Sequence, residues 1–178
     1  MRHEVRFSGF GGQGIILAAV ILGRAAALYD GKYAVQTQVY GPEARGGASM
    51  SAVVIDDEPI FYPEVSVPDT YVIMSQEGFE RYGADAPKNA VMLIDSDMVE
   101  GRPECTFHAI PATTEARNTL GKVIVANIVM LGALVAATGI VSEAAIEKAV
   151  LDSVPKGTDK LNLSALRRGM ELVRGKKG

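Results

Sequence analysis

The chain has 178 residues, 48% hydrophobic and 22% charged, with a formal net charge of −3 and no tryptophan. That length and balance fit one globular domain with a generous core, and leave little room for a second. They argue against general nucleic-acid binding, which wants a basic face, and the lone Cys105 rules out an internal disulfide or a self-contained iron–sulfur site.

The first stretch, Glu4-Val-Arg-Phe-Ser-Gly-Phe-Gly-Gly-Gln-Gly-Ile-Ile-Leu17, reads as a short strand, a glycine-rich turn and the start of an apolar helix. Gly9, Gly11 and Gly14 satisfy G-x-G-x-x-G, with Gly12 in addition. Glycines suit a tight strand-to-helix turn because it needs positive φ and close backbone approach. The exposed N–H groups and the positive end of the helix then face whatever occupies the turn.

A dinucleotide site would also place an acid at the end of the second strand, to hold the ribose hydroxyls. That strand reads Lys32 to Tyr40 and ends in Tyr40-Gly41-Pro42. Asp30 has about the right spacing but belongs to the Asp30-Gly31 turn before the strand, and Glu43 lies beyond Pro42. The NAD reading is damaged. The turn then serves another phosphate-bearing ligand, or helix–sheet packing alone.

Residues 14–29 are apolar nearly all round, which predicts a helix covered on most sides. In the strand after it, Gln36 and Gln38 share one parity and point together to a polar neighbour. Next comes the second informative loop, Tyr40-Gly-Pro-Glu-Ala-Arg-Gly-Gly-Ala48. Pro42 fixes φ, Gly41, Gly46 and Gly47 permit sharp bends, and Arg45 supplies a permanently charged fork. Beside the first turn, Arg45 and the helix N-terminus would make an anion-binding pair; otherwise Arg45 ties Glu43 and shapes the loop.

Ser49–Ile55 predicts an alternating strand, with a hairpin at Asp56-Asp-Glu-Pro59 leading to Ile60-Phe-Tyr62, which makes the sheet mixed. Residues 70–74 and 90–94 read as buried strands, and 106–110 as the last strand. Ser75 is expected to cap a short helix to Tyr82, and Asp95-Ser-Asp97 to form a turn. Thr113 and Thr114 serve the start of another short helix. Lys122–Thr138 is the central apolar helix, stopped by Gly139, and its Asn127 must satisfy a buried amide. Its apolar run falls short of the ~20 residues of a membrane span. Ser142 caps the next helix, and 161–174 is a final amphipathic one. Cys105 is expected to be a small apolar residue, and His3 and His108 strand histidines without metal-ligand spacing. The N-terminus has no apolar segment preceded by positive charge, so secretion is not indicated.

Three stretches, Gly9-Phe-Gly-Gly-Gln-Gly-Ile15, Gln38-Val-Tyr-Gly-Pro-Glu-Ala-Arg-Gly-Gly47 and Asn127-Ile-Val-Met-Leu-Gly-Ala133, together resemble the gamma subunit of 2-oxoacid:ferredoxin oxidoreductases. The resemblance spans almost the whole chain and is closer to the 2-oxoglutarate enzymes than to the pyruvate or branched-chain ones. It implies a cytoplasmic complex that converts a 2-oxoacid and coenzyme A to acyl-CoA and carbon dioxide. Electrons pass from thiamine diphosphate through iron–sulfur clusters to ferredoxin. This chain has no G-D-G with a downstream asparagine for thiamine diphosphate and magnesium, and no cysteine set. Those cofactors must then come from alpha, beta and in some members ferredoxin-like delta subunits. The chain is expected to be non-catalytic alone, with no metal site.

What remains for it is assembly surface and coenzyme A. The candidate site is Gly9, Gly11, Gly12, Gln13 and Gly14 of the first loop with Arg45, Gly46 and Gly47 of the second. Backbone N–H groups at 11–14 and the Arg45 guanidinium would hold the phosphate end. The expected fold is a single three-layer α/β/α domain over residues 1–178, Rossmann-like, with a mostly parallel, mixed sheet. Two alternatives stay open: a purely structural subunit with nothing in the glycine turn, and a free-standing nucleotide-binding protein.

Overall fold

The computed structural model describes residues 1–39 and 47–175. Its strands are β1 (His3–Phe10), β2 (Tyr33–Val39), β3 (Ala48–Asp56), β4 (Thr70–Ile73), β5 (Val91–Asp95) and β6 (Thr106–Ile110). They form one sheet in the order β2-β3-β1-β4-β5-β6. β1, β4, β5 and β6 are parallel; β3 is antiparallel to both β1 and β2. The helices are α1 (Ile15–Arg24), α2 (Gln76–Tyr82), α3 (Ala112–Thr114), α4 (Ala126–Thr138), α5 (Glu143–Ser153) and α6 (Asp159–Arg174).

The sheet is mixed as expected, but not through the expected hairpin. Ile60-Phe-Tyr62 is not a strand; Phe61 is 92% exposed and Tyr62 63%. The reason is geometric: both edges of β3 are already taken, by β1 on one side and β2 on the other. The hairpin partner of β3 is β2, and the second glycine-containing loop joins them. Gln36 and Gln38 do share a face, where the Gln36 amide donates to Ser51 Oγ (2.7 Å) and Gln38 Oε1 (3.4 Å).

Alternation along the strands divides the interior in two. Val5, Phe7, Val53, Ile55, Val72 and Leu93 pack towards α1, α4, α5 and α6. Tyr71, Ile73, Met92 and Ile94 face the other way, with Phe79 of α2 against them. This is the three-layer arrangement, one side thick and the other thin. The second side also buries Cys105, just ahead of β6, and burial pushes its thiol up, away from the reactive thiolate. His3 and His108 lie in strands.

Local signals account for three helix ends. Ser75 Oγ accepts from Gly78 N–H and Ser142 Oγ from Ala145 N–H, and Gly139 closes α4 at φ 63°. Two ends differ from the simple pattern. The helix begun by α1 widens to five-residue bonding over Ala25–Tyr29, and a tight 3-10 turn, Val123–Val125, precedes α4. Asp30, the sequence's nearest candidate for a ribose-binding acid, instead accepts from Ser142 N–H and Oγ–H at 2.6 Å each. No helix among the described residues is long and apolar enough to cross a membrane.

The start of α3 is served by the acid that ends β5 and the one two residues on, not by its own threonines. Thr114 N–H donates to Asp97 (2.6 Å), while Asp95 accepts from Thr113 Oγ–H (2.6 Å) and Asp97 N–H (3.1 Å). Asp95 is wholly buried, and burial pushes its carboxyl above the ordinary aspartate range despite these bonds. A carboxyl raised in the fold contributes stability fully below its unfolded pKa, and that contribution is lost as pH rises through the folded pKa. Asp95→Asn is therefore expected to gain stability relative to the parent as pH rises above about 4 in urea melts. A pH-independent difference would contradict this. Asp95→Ala, which strands the donors, is expected to lose roughly 2–3 kcal/mol at low pH and less as pH rises and the parent itself is weakened.

Candidate functional site

The C-terminal ends of the parallel strands carry the site. α1 follows β1 onto the thick side and α2 follows β4 onto the thin side, so the helices diverge between two adjacent parallel strands. Ligands of open α/β sheets bind in the crevice such a reversal creates. Here that crevice is bordered by the glycine turn.

Gln13 ties the crevice together. Its Oε1 accepts from Phe10 N–H (2.7 Å) and its Nε2 donates to the Met74 carbonyl (2.8 Å), so one side chain folds the turn back on β1 and braces it on the end of β4. Asn127, buried at the start of α4, holds the other side. Its Nδ2 donates to the Gly14 carbonyl (3.1 Å) and its Oδ1 accepts from Ile128 N–H (2.9 Å). The polar residue in an otherwise apolar helix was the sequence signal for this contact, but nothing there showed which loop it would meet.

The four glycines are not equivalent. A side chain at Gly9 would run into Gln13, and one at Gly14 into Asn127; Gly12 and Gly14 have φ of 91° and 75°. Gly11 has neither positive φ nor any neighbour that an added Cβ would touch among the described residues. The fold explains three of the glycines. It does not explain Gly11.

α1 starts at Gly14 with no side-chain cap and no acid in its first turn. Its first amide donors therefore keep the partial positive charge of an open helix N-terminus. Clefts of about 310 and 290 Å³ flank the turn, one reaching Ser49 and the other Met74, Thr113 and Val123. The rim is apolar, with Val123 45% and Ile124 66% exposed and Leu17 beside them.

The described flanks of the second loop lie near the glycine turn. Register sets Ala48 opposite Phe10 and Val39 opposite Met50, so both flanks of the loop lie at the edge that holds the glycine turn. Gly47 is half-buried there. Arg45 and Gly46 lie outside the described residues. Together the described residues offer backbone donors, an open helix end and an apolar rim; they hold no cluster of three or more acids, histidines or cysteines suited to a metal ion.

Residues 4–172 match the family model described as pyruvate ferredoxin/flavodoxin oxidoreductase. The chain belongs to this family. It is 57% identical over 178 residues to the 2-oxoglutarate synthase subunit KorC of Methanocaldococcus jannaschii, covering 98% of this chain and 95% of that one. It is 37% identical to the pyruvate synthase subunit PorC of Methanothermobacter thermautotrophicus, over 96% of this chain and 95% of the relative. Its fold matches a keto/oxoacid ferredoxin oxidoreductase gamma subunit from Geobacter sulfurreducens with a TM-score of 0.88 and 47% identity, covering 97% and 99% of the two chains. The chain is thus a gamma-type subunit of a 2-oxoacid oxidoreductase, as its motifs implied.

Membership also explains why so little chemistry resides here. A gamma-type subunit with one buried cysteine cannot ligate a cluster by itself. Nor does this sheet suit a standard dinucleotide: antiparallel β3 stands beside β1, where a Rossmann unit has its second parallel strand.

Proposed function

We propose that the chain is the gamma subunit of a 2-oxoglutarate:ferredoxin oxidoreductase and that its glycine turn holds the phosphate end of coenzyme A. The substrate assignment is supported by the 57% identity to a 2-oxoglutarate synthase subunit against 37% to a pyruvate synthase subunit. The observation that carries the coenzyme A assignment is Gly11: glycine at an open position, beside an uncapped helix end, is what close approach of a phosphate to backbone N–H groups requires.

The chemistry is divided between chains in this reading. Thiamine diphosphate, magnesium and iron–sulfur clusters on alpha, beta and delta partners supply decarboxylation and electron transfer to ferredoxin. This chain's residues bind and orient coenzyme A. The amides of Gly11, Gly12 and Gly14 would meet the phosphates, Arg45 would neutralise their charge, and Gln13 and Asn127 keep the turn in place. The apolar rim of Leu17, Val123 and Ile124 suits a partner chain or the uncharged part of the ligand, and it alone favours a second reading, a purely structural subunit.

The test is anaerobic affinity purification of the tagged chain from its native host. A thiamine-diphosphate-binding chain and a cysteine-rich chain are expected to co-elute, and the sample to reduce ferredoxin with 2-oxoglutarate faster than with pyruvate. Recovery of the chain alone contradicts the subunit assignment. In the same complex Arg45→Ala is expected to raise KM for coenzyme A about tenfold, a lost charge-assisted contact, with assembly intact. Dissociation of the complex would make Arg45 an assembly residue instead.

A further inference from the structure

On the thin side of the sheet, apart from the glycine turn, Arg6 sits at mid-strand in β1 opposite Tyr71 of β4. Its guanidinium carbon lies 5.8 Å from the centre of the Tyr71 ring. Arg2, Arg167, Arg168 and Arg174 each meet a carboxylate, but Arg6 meets none among the described residues. Its Nε is buried with no hydrogen-bond partner, and its Nη2 reaches only the Val65 carbonyl, at 3.4 Å. That is beyond the usual range for such a bond. A charged donor withdrawn from water without an acceptor is costly.

Arg6 also lines a cavity of about 260 Å³, with Arg81, Ser66, Val67, Tyr71, Tyr82 and Asp85. Two guanidiniums stand against one carboxylate, so the lining carries one uncompensated positive charge, and three hydroxyls add donors. The volume falls just below the roughly 300–1,000 Å³ of drug-sized sites. Guanidinium forks match the planar oxygens of carboxylates and phosphates, which a halide does not offer. We propose that this cavity binds a small, singly charged oxyanion, a carboxylate or a monoanionic phosphate. The site is independent of the coenzyme A reading: it lies on other residues and stands whether or not the glycine turn binds anything.

The test is an amide NMR titration of the isotopically labelled full-length chain at pH 6. Acetate and inorganic phosphate are the probes, with sodium chloride at matched ionic strength as the control. At least one probe is expected to give saturable shifts centred on residues 6, 66–71 and 81–85. Saturation by acetate alone identifies a carboxylate site, and by phosphate alone a phosphate site. Arg6→Met and Arg81→Met are each expected to weaken binding about tenfold or more, while Arg24→Met, on α1, leaves it unchanged. If Arg6→Met does not fold, the exposed Arg81 decides the matter through Arg81→Met. Absence of saturation, shifts matched by chloride, or binding that survives in the arginine variants would overturn the proposal.

Discussion

Gly169→Val is expected to destabilise the protein by about 3 kcal/mol or more, at the upper end of what overpacking costs. For a chain of this size that lowers Tm by roughly 6–12 °C. The reason lies in the crossing of α4 and α6. α4 is buried from Ala126 to Val135 without a break, and α6 lies directly on it. A Cβ at Gly169 would fall on the Val129 carbonyl, and one at Gly132 on the Leu166 carbonyl. Both obstacles are backbone, so no side chain can turn aside to make room, and the helices must separate along their length. Gly23→Ala is the contrasting case. Gly23 lies in α1, and its added Cβ would make only ordinary contacts with Val53 of β3 (3.8 Å) and Ala34 of β2 (4.0 Å), so the change is expected to be neutral or to stabilise by up to about 1 kcal/mol. Thermal and urea melts of the two variants check the pair, and an unchanged Tm for Gly169→Val would contradict the close crossing.

Neither glycine stood out in the sequence, because a helix glycine announces a close approach only when the opposing backbone is known. The same limit runs through the fold. Ser75, Ser142 and Gly139 were legible as helix ends because caps act within four residues. Strands 70–74 and 90–94 were legible from their apolar runs. The hairpin at 56–60 was misplaced because turn chemistry at Asp56-Asp57 cannot reveal that both edges of β3 are occupied. Asp95 and Asp97 read correctly as strand-end residues, yet their bonds to α3 cross a gap of 17 or 18 residues that no local rule spans. Arg6 likewise looked like any strand arginine until its missing acceptor was visible.

The glycine turn divides along the same line. Its strand–turn–helix geometry and the need for positive φ were legible, and φ of 91° at Gly12 and 75° at Gly14 agree with it. Gln13 and Asn127 as the braces were not, since their acceptors at Met74 and Gly14 lie 61 and 113 residues away. Once those braces are known, the glycines separate into three that the fold requires and one that it does not.

Gly11 therefore tests the account most directly. An added Cβ there meets nothing among the described residues, and Gly11 has no positive φ to strain, so Gly11→Leu is expected to shift stability by less than about 0.5 kcal/mol. In the assembled complex it would stand between the backbone donors and an approaching phosphate. KM for coenzyme A is expected to rise roughly tenfold to a hundredfold, with Tm, assembly and KM for the 2-oxoacid unchanged. An unchanged KM for coenzyme A in a complex that assembles normally would mean that nothing binds at the glycine turn, and would leave the chain a structural subunit.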